Sequence, residues 1–114
     1  MGVDVYMTWD GFGERKTSNP NYAKQITGFI SVGRFGYLRL AYSNNKYQEI
    51  SDCFCWNWDM NTLFTEKLIK EFLEKTESLD EKEFSELKKE FRDFAELGRK
   101  LNKQNRCPRI HTSY

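Results

Sequence analysis

Between Phe29 and Trp58 the chain places Phe29, Phe35, Tyr37, Tyr42, Tyr47, Phe54, Trp56 and Trp58, with Arg34 and Arg39 among them. Flat rings stack on nucleobases at roughly 1–3 kcal/mol per base, and guanidinium forks take phosphate. Tyr37, Tyr42, Trp56 and Trp58 supply the first kind of group, and Arg34 and Arg39 the second. A nucleotide-like molecule is therefore the best-motivated ligand. The same rings also suit a core, because a small domain with few Val and Ile residues must fill its interior with something large. Trp and Arg are equally what protein-interface hot spots prefer. Trp56, Trp58 and the nearby arginines thus also fit a protein–protein interaction module.

A second set of groups has metal or nucleophile chemistry. Cys53 and Cys55 form a C-x-C pair, and Cys107 with His111 a C-x3-H pair, four soft ligands of the kind that hold zinc tetrahedrally. The first spacing is tighter than the common C-x2-C. The second crosses Pro108, which is not the helical spacing usual for a Cys–His pair. The alternative is that buried cysteines act as small apolar residues. The same residues offer a Cys–His pair for nucleophilic catalysis, Cys107 or Cys55 with His111. Pairs of carboxylates drawn from Asp4, Asp10 and Glu14, or from Asp52 and Asp59, have no spacing that fixes their geometry. Gly11-Phe12-Gly13 is too short for a phosphate loop. The reading leans to a non-catalytic protein without cofactor or metal.

The chain has 114 residues, a length suited to one domain, and its 18 basic and 17 acidic residues leave a net charge of +1. That balance argues against general nucleic-acid binding, which shows as a basic excess. No apolar run approaches the ~20 residues of a membrane helix. MGVDVYMTWD lacks the features of a signal peptide, and Tyr6 stands where a myristoylation motif needs Ser or Thr. Three cysteines, an odd number, favour free thiols in a reducing compartment. The expectation is a cytoplasmic protein.

The elements that must position these groups follow from periodicity. Residues 3–9 alternate, with Val3, Val5, Met7 and Trp9 on one face and Asp4, Tyr6 and Thr8 on the other, as a half-buried strand does. Residues 10–24 collect Gly, Asn, Ser and Pro and read as a loop. A second strand is expected over 25–32. Residues 37–42 fit either a short helix or a strand; as a strand, Tyr37 and Arg39 share a face. Residues 49–58 read as strand or irregular. A helix is predicted over 61–77, capped by Asn61 or Thr62, and a longer one over 79–104, with Ser78/Glu81 or Asp80/Glu83 as capping box. The apolar seam of the second helix is Phe84, Leu87, Phe91, Phe94, Gly98 and Leu101, with Gly98 permitting close approach of a neighbouring backbone. Residues 75–79 are short enough to force an antiparallel hairpin. The Lys and Glu residues of both helices, Lys88 and Glu90 among them, read as a solvated outer face. If the Phe seam is wider than a sheet covers, it forms a homodimer interface. Residues 109–114 alternate again, Ile110, Thr112 and Tyr114 against Arg109, His111 and Ser113, and are predicted to pair with the N-terminal strand or its neighbour.

The start MGVDVYMTWDG, the piece GYLRLAY and the ending FRDFAELGRKLNKQNRCPRIHTSY resemble a group of small uncharacterised bacterial and phage proteins. The likeness covers about half the chain and implies no activity. Members of that group often follow Ala-Tyr with His-Gly, where Ser43 and Asn44 stand here. A phage-borne, host-directed regulator is what the resemblance implies, such as an anti-defence protein that sequesters a nucleotide signal or blocks a protein.

The expected architecture is a single α+β domain: a small, mainly antiparallel sheet covered by an antiparallel helical hairpin, with the N- and C-terminal strands in the same sheet.

Overall fold

The computed structural model describes residues 2–11, 24–26, 29–32, 36–41, 49–50, 52–53 and 62–113. The strands are β1 (Gly2–Thr8), β2 (Lys24–Ile26), β3 (Phe29–Val32), β4 (Tyr37–Ala41), β5 (Thr62–Leu63) and β6 (Arg109–Ser113). The helices are α1 (Glu66–Glu77) and α2 (Ser85–Lys103), placed between β5 and β6. All six strands join one sheet in the order β2-β3-β4-β1-β6-β5, and every pairing is antiparallel. The α+β class and the helical hairpin follow the sequence expectation, and so does the pairing of β6 with β1. Residues 37–41 resolve to a strand.

Three boundaries differ. The single strand expected over 25–32 is two strands, β2 and β3, with Ile26 paired to Phe29. The first helix begins at Glu66, and its N-cap is Thr65, whose Oγ1 accepts from Leu68 N at 3.4 Å. Thr62 and Leu63 instead pair with Ile110 and Arg109, a contact between segments far apart in sequence. The second helix begins at Ser85, with no side-chain cap at Phe84. Asp80 instead accepts from the backbone of Lys82 at 3.3 Å, inside the turn.

The core lies between one sheet face and the helices. Val5 and Met7 of β1, Leu38 of β4 and Ile110 of β6 are buried with Ile69 and Phe72 of α1 and Leu87, Phe91, Phe94 and Leu101 of α2. The Phe seam is thus covered within one chain. Phe64, between β5 and α1, joins the parts. Its ring lies 5.5 Å from that of Phe94, its backbone N–H donates to the carbonyl of Pro108, and its carbonyl accepts from Asn102. Gly98 makes room for it: a Cβ there would stand 2.6 Å from Phe64 Cδ2. The close approach expected at Gly98 is therefore by a ring rather than a backbone. Gly36 enters β4 with φ +79°, and a Cβ there would meet Met7 Cβ at 3.0 Å.

Ion pairs between opposite ends of the hairpin confirm that the helices run antiparallel. Arg99 of α2 holds Glu66 at the start of α1, and Arg92 holds Glu77 at its end. Lys88 corrects the solvated-face expectation. It is 2% exposed, and its ammonium donates to the carbonyl of Leu79 at 3.0 Å and meets the Glu81 carboxylate at 2.7 Å. The cation thus satisfies the carbonyls left open where α1 ends. Glu90 is likewise buried.

Candidate functional site: the sheet face away from the helices

Because successive strand residues alternate in direction, burial of Val5, Met7, Leu38 and Ile110 against the helices sends their neighbours to the other face. Registry then aligns those neighbours. Tyr6 of β1 lies opposite Tyr37 of β4 on one side and opposite His111 of β6 on the other. All three are half-buried. The Tyr6 and His111 rings stack, with centroids 5.0 Å apart and planes 14° from parallel, about the spacing of adjacent strands. Thr8, one step along the same face, hydrogen-bonds His111 Nε2 through Oγ1 at 2.8 Å. That contact fixes the imidazole plane.

One row to either side stand arginines. Arg39 occupies the position opposite Asp4 in β1. Arg109 lies between Thr8 on β1 and Leu63 on β5. Arg109 is exposed, and Leu63, 49% exposed, is an apolar neighbour at the sheet edge.

Of the residues predicted from sequence, Tyr37 joins this row, and the backbone of Arg39 is in β4 beside it. Arg34, Tyr42, Trp56 and Trp58 lie outside the described residues. So do Cys55, Phe35, Tyr47 and Phe54, and most of the loop 10–24 and the segment 49–58. Tyr6, Thr8 and Arg109 are not singled out by the sequence reading, and His111 enters it only as a metal ligand or as the partner of a cysteine. The outward halves of the two alternating terminal segments carry all four, and pairing those segments with each other is the signal that finds them.

The described members of the cysteine and histidine set, Cys53, Cys107 and His111, stand apart from one another. No group of three or more His, Cys, Asp or Glu among the described residues is arranged to hold a metal ion. Cys53 belongs to the core on the helical side, near Thr76 at the end of α1. Burial, aided by the Asp52 carboxylate, pushes its thiol up to about 12. Cys107 is exposed in the turn before β6, and His111 is engaged with Tyr6 and Thr8 on the opposite sheet face.

A separate open groove runs along α2, lined by Asp93, Glu96, Leu97 and Lys100. Its charges are of both signs and present no convergent group of one sign. No helix among the described residues is long and apolar enough to cross a membrane. The sequence matches no family model, and neither a curated protein nor a solved structure matches the chain.

Proposed function

We propose that this chain is a non-catalytic binding protein that takes a nucleotide-like ligand on the sheet face away from the helical hairpin. The observation that carries the reading is the cross-strand row Tyr37–Tyr6–His111. Adjacent strands supply ring surface whose position is set by backbone registry, and the Tyr6–His111 pair is already stacked. A planar ligand then orders few free side chains on binding, which lowers the entropic cost of association. Arg39 and Arg109 occupy the neighbouring rows, and a guanidinium is a partner for phosphate. Tyr37 and Arg39 belong to this proposal together with Arg34, Tyr42, Trp56 and Trp58, the remaining members of the aromatic and arginine belt. Under the resemblance to small phage proteins, such binding would serve a host-directed, anti-defence role.

The test is a melting-temperature screen with mono- and cyclic nucleotides. A ligand present at 100 times its dissociation constant adds about 2.7 kcal/mol to the folded state, a readily measured rise. The rise is expected to disappear in Tyr37→Leu. A panel without a single shift overturns the reading.

A further inference from the structure

We infer that the outer face of α2 is an interface between two copies of this chain, paired antiparallel about the level of Gly98. The inference does not rest on the nucleotide reading, because α2 lies on the other side of the sheet from the ring row. The groove along α2 is lined by Asp93, Glu96, Leu97, Lys100, Lys103 and Gln104. Steps of three and four residues keep them on one stripe of the helix. Glu96, Lys100, Lys103 and Gln104 are exposed, and Asp93 and Leu97 are half-buried. Charge is sorted along this stripe: both carboxylates precede Leu97 and both ammonium groups follow it. Among the described residues, none of these four charged groups forms an ion pair within the chain. Glu66, whose carboxylate also feels Lys103, is held by Arg99.

The order of charge selects the occupant. Asp93 and Lys103 are placed symmetrically about Gly98, about 7.5 Å to either side along the helix axis. Glu96 and Lys100 are placed symmetrically too, about 3 Å to either side. A two-fold axis at that level therefore sets Asp93 of one copy opposite Lys103 of the second copy, and Glu96 opposite Lys100. Symmetry makes each contact twice. The two Leu97 side chains, each braced against its own core, flank the axis and supply the apolar centre. Parallel pairing would instead set like charges opposite one another. The contact spans about three turns of helix with one apolar residue from each copy, well below the area of a permanent dimer. The assembly is accordingly weak and forms by mass action as the protein is concentrated. Its ion pairs lie at the surface, so salt screens them.

Sedimentation equilibrium on wild type, Glu96→Lys, Lys100→Glu and an equimolar mixture of the two variants tests the interface. At low ionic strength wild type is expected to pass from one chain to two as its concentration rises to about 1 mM. In about 0.5 M sodium chloride it should return toward one chain. Glu96→Lys and Lys100→Glu each set like charges opposite one another at both equivalent contacts. Each alone should therefore lose about tenfold or more in self-association. Mixing the two variants restores opposite charges at both contacts, and the mixture should dimerise within about threefold of wild type. That rescue separates a lost contact from a damaged fold. A wild type that stays a single chain at about 1 mM overturns the proposal, whether the groove then serves a foreign protein or only solvent. A dimer that both variants leave intact overturns it as well, and so does a mixture no more associated than its components. Assembly beyond two chains does the same, since a two-fold contact closes.

Discussion

The imidazole of His111 lies against the ring of Tyr6, centroids 5.0 Å apart and planes within 14° of parallel, across a strand pairing that joins the two ends of the sequence. Such a pair contributes about 0.5–1.5 kcal/mol beyond its buried area. A double-mutant cycle of Tyr6→Leu and His111→Leu, followed by urea unfolding, is expected to return a coupling in that range. Thr8→Val should lower the coupling, because the 2.8 Å bond that orients the imidazole is lost. Strict additivity would show that the stacking carries no energy.

Gly98 leaves no room for a side chain between α2 and the core. Gly98→Ala gains about 1 kcal/mol of helix propensity, yet its methyl would meet Phe64 Cδ2 at 2.6 Å and Ile69 Cδ1 at 3.2 Å. Phe64 is fully buried and cannot swing aside. Overpacking typically costs about 1–3 kcal/mol, so the variant should be less stable than wild type. Phe64→Leu in the Gly98→Ala background should cost less than Phe64→Leu alone, because the smaller side chain relieves the contact. A stabilised Gly98→Ala protein would contradict this geometry.

The described cysteines should separate cleanly by reactivity. Burial pushes the Cys53 thiol up to about 12, whereas Cys107 is exposed. At pH 8 the reactive thiolate of Cys53 is about one part in ten thousand. Iodoacetamide followed by peptide mass mapping is expected to modify Cys107 in the native protein and Cys53 only on the timescale of unfolding. Equal rates at the two positions would place Cys53 outside the core.

Acid should loosen the helical hairpin. The Arg92 hydrogen bonds hold the Glu77 carboxyl below the ordinary value of 4.5, and those of Arg99 do the same for Glu66. The folded state therefore releases these protons more readily than the unfolded chain. The resulting stability is present above about pH 4.5 and is lost as the pH falls through the depressed values. Glu77→Gln should be less stable at neutral pH and show a shallower fall in Tm between pH 5 and pH 3. Both side chains are half exposed, so solvent keeps each effect small. An unchanged slope in the variant would mean that the Arg92 pair does not survive in solution.

Much of this molecule is legible before any coordinates. The seam Phe84, Leu87, Phe91, Phe94, Gly98 and Leu101 announces a helix with one buried stripe, and every member of it is buried. The alternations over 3–9 and 109–113 announce half-buried strands. Both signals are local, because a helix turn or a pleat repeats within a few residues. Lys88 escapes such a reading: its type and its i,i+4 neighbours look solvated, and only the turn that brings the carbonyl of Leu79 to it explains its burial. Thr62 and Leu63 escape it for a similar reason, since a strand partner 46 or more residues away outcompetes helix propensity there.

The candidate site divides along the same line. By itself the sequence determined which residues could stack or bind phosphate, which segments alternate, and that two amphipathic helices must be covered by something apolar. It left the aromatic belt of the middle of the chain as the favoured place for a ligand. Only the tertiary structure decided that Tyr37 stands in a row with Tyr6 and His111, and that Thr8 reaches His111 across 103 residues of sequence. The physical reason is registry. Which residue lies opposite which is fixed by hydrogen bonds between strands distant in the chain, and no periodicity within either strand carries that information.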